Sequence, residues 1–263
     1  MSTGAAKLHR RREACMPETN SFVGGVNPSV KLFLHLLCMI LLVFSRDPWT
    51  TLVLLAVPVI ITLTLAKIPL KTFIVRVSPF LVLFLSTTWV LAAYGKGETV
   101  WWEWAWIRIT AEGLQNGLNI GLRMMAFVCY GFLFTATTDV TKLVMSLMQQ
   151  CKVSPKFAYA LLAGFRFLPL FKEEYAQIKA AHRVRGVARV PGLRGKIQGV
   201  MRYTIPLLAQ GIRKAERVAV ALEARGFDGT LNRTFYHQMT VGRRDALYLA
   251  LLVVTNLAVL LLL

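Results

Sequence analysis

Five apolar runs, set apart by short polar or basic segments, dominate the pattern of this chain. Residues 32–44 and 49–66 come first, parted by Ser45-Arg46-Asp47-Pro48, a polar break that reads as a turn. Residues 73–94 carry one charge, Arg76, and 114–137 carry one, Arg123. Residues 246–263 carry none. Runs near 20 residues match a hydrocarbon layer of roughly 30 Å, so each predicts a membrane-spanning helix. The run 32–44 is short; with Lys31 and Arg46 snorkelling from its ends it reads as half of a helical hairpin with 49–66. A re-entrant or interfacial pair is the alternative.

Between the fourth and fifth runs the pattern changes. Thr137-Thr138-Asp139 has N-cap chemistry and precedes an amphipathic stretch, 140–150. Ser154-Pro155 opens a long helix to about Arg185, apolar in its first half, polar in its second, with Pro169 predicting a kink. Gly186, Pro191, Gly192 and Gly195 read as a loop. A further helix runs from about Lys196 to Arg225, bent at Pro206 and ended at Gly226 and Gly229. Ahead of the fourth run, Trp102, Trp104 and Trp106 alternate, which predicts a short extended piece at the outer interface. An aromatic ligand platform is the other reading of those tryptophans.

Composition and charge then orient the chain. Charged residues make up 17% and hydrophobic ones 56%, a membrane composition, yet the formal net charge is +18. Of 31 Lys and Arg, 19 lie in residues 138–244 and five in 1–31. The positive-inside rule therefore puts the N-terminus and the central segment in the cytoplasm and the C-terminus outside. The excess is topology and contact with anionic lipid, and a nucleic-acid partner is not expected. His9-Arg10-Arg11-Arg12 is followed by a polar stretch, so no cleavable signal is read, and the first span serves for insertion. Cys15, Cys38, Cys129 and Cys151 and the scattered His9, His35, His182 and His237 fit no metal signature. They read as packed or incidental residues.

One phrase is written twice in the central segment: Ala-x-x-x-Arg-Gly, at Ala181–Gly186 and again at Ala221–Gly226. Each copy ends a predicted helix. Glycine suits the left-handed position just past a helix, and arginine complements the negative end of the dipole. Ala181 and Ala221, four residues before Arg185 and Arg225, share the arginine's face and keep it thin. Such a tip fits a groove that holds a carboxylate, which guanidinium grips in a bidentate fork. Ordinary helix-end chemistry, occurring twice, is the bland alternative. Two like tips suggest two like sockets on a dimeric or pseudo-dimeric partner. The chain itself has no G-x-x-x-x-G-K-[ST], G-x-S-x-G or HExxH; Gly192–Lys196 and Gly95-Lys96-Gly97 lack the phosphate-cradle spacing. Catalysis by this chain is not expected.

On these residues the chain resembles the transmembrane T component (EcfT, CbiQ-like) of energy-coupling factor transporters. The paired signatures, the lead Asn27–Leu32 into the first span, the stretch 154–186 with Arg166, Pro169 and Glu173, and the start of the last span carry the resemblance. It implies an all-α integral membrane protein of about five transmembrane helices. Long cytoplasmic or interfacial coupling helices would lie between the fourth and fifth. The divisions are a basic cytoplasmic tail (1–31), a four-span region (32–137), a coupling-helix region (138–244) and a C-terminal transmembrane helix (245–263). The resemblance also implies a multi-pass bacterial cytoplasmic-membrane location, a pair of ATP-binding-cassette ATPases and a substrate-binding S component. ATP and Mg would be used by those partners, and this chain would bind no cofactor. Ala181, Arg183, Arg185, Gly186, Ala221, Arg225 and Gly226 become the expected ATPase-coupling residues, with Arg166, Pro169, Glu173 and Pro206 in the coupling segment. Two other readings stand beside this one: a membrane enzyme gripping phosphate-bearing lipid, with Glu173 and Glu174 for chemistry, and a basic membrane-anchored binding module.

Overall fold

The structure, a computed structural model, describes residues 21–45, 47–95, 99–104, 107–186, 192–230 and 234–262. They form eight α-helices and one short hairpin, in two compact units. The first unit holds the chain up to Ser146 and again from Gln238; the second is Leu147–His237.

In the first unit every long apolar run becomes a helix. Helix α1 is Pro28–Val43, capped by the Asn27 side chain, which accepts from the Ser29 N–H at 3.1 Å. Helix α2, Pro48–Thr64, has proline at its first position, where the missing N–H is harmless. Helices α3 (Leu70–Tyr94) and α4 (Ala111–Thr137) are long and apolar enough to cross a membrane. Helix α5, Val140–Gln150, has its residues up to Ser146 in this unit, and helix α8 is Arg243–Leu262. Strands β1 (Val100–Trp104) and β2 (Ile107–Thr110) pair antiparallel, Trp102 opposite Ile109 and Trp104 opposite Ile107. The extended piece is thus half of a hairpin, which an all-helical reading omits; Trp106 lies outside the described residues.

Helix α4 is the hub. It packs on α1, α2 and α3, while α8 packs on α1 and α2. Tyr130 and Leu133 of α4 meet Cys38 and Leu42 of α1, Leu54 and Ile61 of α2, and Tyr248 and Leu252 of α8 in one core. Helix α3 touches this core little: Val82, Leu85, Trp89 and Val90 stay exposed, as a lipid-facing helix would leave them. Its contact with α4 is closest at Gly113, Gly117 and Gly121, one every four residues down one face, and continues at Phe73 against Phe132. A Cβ on Gly117 would come within 2.8 Å of the Thr88 carbonyl, and one on Gly121 within 2.6 Å of the Thr88 hydroxyl. Small residues at this spacing let membrane helix backbones approach. Gly117→Ala is therefore expected to destabilise the protein by about 1–3 kcal/mol through overpacking against backbone. Gly131→Ala, on the same helix with nothing within 4 Å, is expected to be neutral or slightly stabilising. Thermal unfolding of the two variants in detergent checks the difference in sign.

One sequence expectation is overturned here. Lys31 does not snorkel: it is fully buried, and its Nζ donates to the Thr137 carbonyl at 3.1 Å and hydroxyl at 3.3 Å. The ammonium sits at the carbonyl end of α4, where a cation is favoured. Arg46 lies outside the described residues. His35, read as a packed residue, is buried, its Nδ1 against the Lys31 carbonyl and Nε2 against the Tyr248 hydroxyl. Cys38 and Cys129 are buried and Cys151 is exposed; Cys15 and His9 lie outside the described residues.

Candidate functional site

The second unit is built on two long helices, α6 (Pro155–Val184) and α7 (Gly192–Ala224). Helix α6 starts at Pro155 as the sequence predicts, though Ser154 makes no side-chain cap bond. Helix α7 is bounded at Gly192, four residues before Lys196; Gly192 has a left-handed φ of +86° and so still breaks the chain as predicted, while Gly195 is helical rather than loop. First-turn N–H groups lack intrahelical partners in any case, so glycine is tolerated there more easily than in a helix interior. Pro169 and Pro206 lie inside helices that continue through them.

The helices run antiparallel. Tyr159, near the start of α6, stacks edge-on against Phe227 just past the end of α7, with centroids 5.4 Å apart. In the middle, Glu174 pairs with Lys214, whose ammonium also lies 5.8 Å from the Phe171 ring centroid. Tyr175 and His182 both meet Tyr203, at 5.4 and 5.6 Å. The face Phe167–Phe171–Glu174 follows helical spacing, so Glu174 rather than Glu173 reaches α7; Glu173 and Arg166 are exposed, and Pro206 is half-buried. Nothing in the local sequence singles out Glu174, because its partner is 40 residues away. Beside this contact lies a mostly apolar groove of about 740 Å³, lined by Tyr159, Ala163, Phe167, Leu208, Ile212 and Ala219 among others.

Both repeated phrases end helices with the same backbone. Gly186 has φ +63° and Gly226 φ +78°, the left-handed region where side chains are strained. The Gly226 N–H donates to the Glu223 carbonyl at 2.9 Å and the Phe227 N–H to the Leu222 carbonyl at 3.0 Å, the paired closure of a Schellman motif. At the first copy the Gly186 N–H donates to the Arg183 carbonyl at 3.2 Å and the Arg185 N–H to the Ala181 carbonyl at 3.1 Å. Ala181, Arg183, Arg185, Ala221 and Arg225 are all exposed. Among the described residues neither Arg185 nor Arg225 has an ion-pair partner.

The antiparallel arrangement fixes where the tips lie. Arg225 sits two residues before Phe227, beside Tyr159, while Arg185 is 26 positions further along α6. At 1.5 Å per residue the two arginines are roughly 39 Å apart, at opposite ends of the pair. Aligning the copies sets Arg183 against Glu223. A position that carries opposite charges in two like tips is not their common element; the arginine before the glycine is. Two exposed guanidiniums so placed can fork onto two acidic sites on one large partner.

The sequence pattern of the family described as CbiQ, cobalt transport protein, matches residues 19–236, both tips included. The chain belongs to the CbiQ family. Curated relatives of this CbiQ-family chain carry the name energy-coupling factor transporter transmembrane protein EcfT. That of Lacticaseibacillus paracasei is 31% identical over 234 residues, covering 86% of this chain and 88% of that protein. That of Limosilactobacillus fermentum is 29% identical over 245 residues, covering 90% and 91%. The Staphylococcus aureus protein is 29% identical over 242 residues, covering 89% and 90%. The similarity therefore spans nearly the whole chain, membrane helices and tips alike.

Proposed function

We propose that this CbiQ-family chain is the non-catalytic transmembrane component of an energy-coupling factor importer. In this reading it links ATP hydrolysis by two ATP-binding-cassette subunits to movement of a membrane-embedded S component that carries a vitamin or metal ion. The observation that carries the proposal is the pair of glycine-closed helix ends, each presenting an exposed arginine, at opposite ends of one helix pair. One two-lobed engine can be gripped at two points by such a pair, and motion of its lobes would move the helices. Mg and ATP belong to the partner subunits, consistent with a chain that has no phosphate-cradle motif.

The membrane setting follows from the same assignment. Five spans, α1 to α4 and α8, put the N-terminus and the α5–α7 region in the cytoplasm and the C-terminus outside, in line with 19 of 31 basic residues falling in 138–244. Beyond the tips, α6 and α7 leave Phe157, Phe165, Leu168, Val200, Met201 and Ile205 exposed. An apolar surface this broad needs cover, and the S component with surrounding lipid would supply it. Purification of the tagged protein from its own membranes in mild detergent tests the assignment. Mass spectrometry is expected to find ATP-binding-cassette subunits and a small membrane protein in stoichiometric amounts. A chain that purifies alone and turns over a phosphate-bearing lipid would point instead to an enzyme.

A further inference from the structure

The chain leaves the first unit after Ser146 and returns to it at Gln238. Both connections are fastened, within that unit, to one turn of helix α1. The Ser146 hydroxyl, on α5, donates to the Asn27 Oδ1 at 2.5 Å and lies 2.7 Å from the Ser29 hydroxyl. On the return side, Asp245 Oδ1 accepts from the Asn27 backbone N–H at 2.6 Å, and Asp245 Oδ2 accepts from the Gly242 N–H at 2.7 Å. Asn27 is the N-cap of α1 and Gly242 directly precedes α8, so one carboxylate caps the positive ends of two helices. One turn on, Lys31 holds the end of α4 from which the chain departs toward α5. Asn27, Ser29, Lys31, Ser146 and Asp245 are all buried.

Burial makes this cluster more than helix capping. Its partners lie 117 to 218 residues apart, so it joins segments that local chain geometry does not hold together. Inside the second unit the two ends are tied again, where Gln149 Nε2 donates to the His237 carbonyl at 2.7 Å. The segment 147–237 is thus closed at its base within its own unit, and the adjoining connections are pinned to a single residue in the other.

We propose that Asn27, with Ser146 and Asp245, forms a clasp through which displacement of the α6–α7 segment is passed to the membrane helices. Asn27 acts as a positioning residue: its side chain holds the outgoing connection and its backbone N–H the returning one. The inference rests on the transporter assignment, since it presumes that the segment is moved by nucleotide-driven partners. Without the clasp the tips would still seat, but their motion would dissipate in residues 138–146 and 238–245.

Backbone hydrogen exchange on the full-length protein, co-purified with its ATPase subunits in lipid nanodiscs, tests this. ADP is compared with ATP, Mg and vanadate. In the unaltered protein, exchange in both 147–237 and 21–31 is expected to change with nucleotide, by threefold or more at 21–31. In Asn27→Ala and in Ser146→Ala the response of 147–237 should persist while that of 21–31 falls to less than half. Asn27→Asp would set a second buried carboxylate beside Asp245, so rescue is sought with Asn27→Ser, which keeps an uncharged N-cap acceptor and should restore at least half of the response. Should Asn27→Ala fail to fold, Ser146→Ala, which removes one hydroxyl, decides. An undiminished response at 21–31 in the alanine variants, a failure of Asn27→Ser to restore it, or no response there in the unaltered protein overturns the clasp alone. Failure of the unaltered protein to bind ATPase subunits overturns the transporter assignment and the clasp with it.

Discussion

The double variant Arg185→Ala/Arg225→Ala is expected to lose its ATPase subunits on purification while its own fold stays intact. Both side chains are exposed and, among the described residues, without ion-pair partners, so their removal should alter stability by no more than about 0.5 kcal/mol. Seated against a carboxylate in a partner groove, each would form a desolvated, charge-assisted pair. Truncating one side of such a pair costs about 2–5 kcal/mol, or roughly 30- to 4,000-fold in affinity. The tips are roughly 39 Å apart, so the two losses should add. Each single variant keeps one anchor and holds the second site at high local concentration, so it should weaken the complex without dissolving it. Arg183→Ala should do less than Arg185→Ala, because the equivalent place in the second tip is Glu223. Co-purification yield at rising salt measures all four variants. A double variant that retains both ATPase subunits at wild-type yield would remove the docking role of the tips.

The reasons some features are visible in the sequence, and others are not, are physical. Runs 73–94 and 114–137 grow into α3 and α4 because an uninterrupted apolar stretch in lipid must close its hydrogen bonds internally, and the helix does so. Residues 140–150 are helical at the predicted limits because Asp139 caps them, its Oδ1 accepting from the Thr141 N–H at 2.6 Å. The helix-end glycines were legible for the same reason: a left-handed backbone leaves a residue signature. The start of α7 was legible only in part: Gly192 breaks the chain as read, but Gly195 is tolerated in a first turn whose N–H groups lack intrahelical partners in any case. The Gly113–Gly117–Gly121 row is regular enough to read, yet it stands in a run whose hydropathy already explained it. Lys31 and Asn27 were read by position, as a flank and a lead-in. Their partners Thr137, Ser146 and Asp245 are more than a hundred residues away, and no local pattern records such a meeting.

Lys31 provides the sharpest test of that difference, because the two readings predict different stabilities. A snorkelling lysine at a helix end contributes little, and Lys31→Ala would then resemble a change at exposed Lys71, within about 0.5 kcal/mol. In the structure Lys31 has no exposed surface, and its ammonium satisfies a last-turn carbonyl of α4 that water cannot reach. Alanine there strands the Thr137 carbonyl, costing about 1–3 kcal/mol, and empties the volume of the stem, costing about 2–5 kcal/mol. The two terms share one site and are not fully additive, so Lys31→Ala is expected to destabilise by about 3–5 kcal/mol. Lys31→Met refills most of the volume but supplies no donor, which should leave about 1–3 kcal/mol of the loss. Lys31→Arg keeps the charge yet brings a planar fork too large for a closed site built around one ammonium, so it should not rescue. Thermal unfolding in detergent, read by monodispersity on gel filtration, ranks the variants: Lys71→Ala nearest the unaltered protein, then Lys31→Met, then Lys31→Ala. Equal midpoints for Lys31→Ala and Lys71→Ala would return Lys31 to the membrane surface. They would also remove the cation that fixes the end of α4, from which the chain departs toward α5.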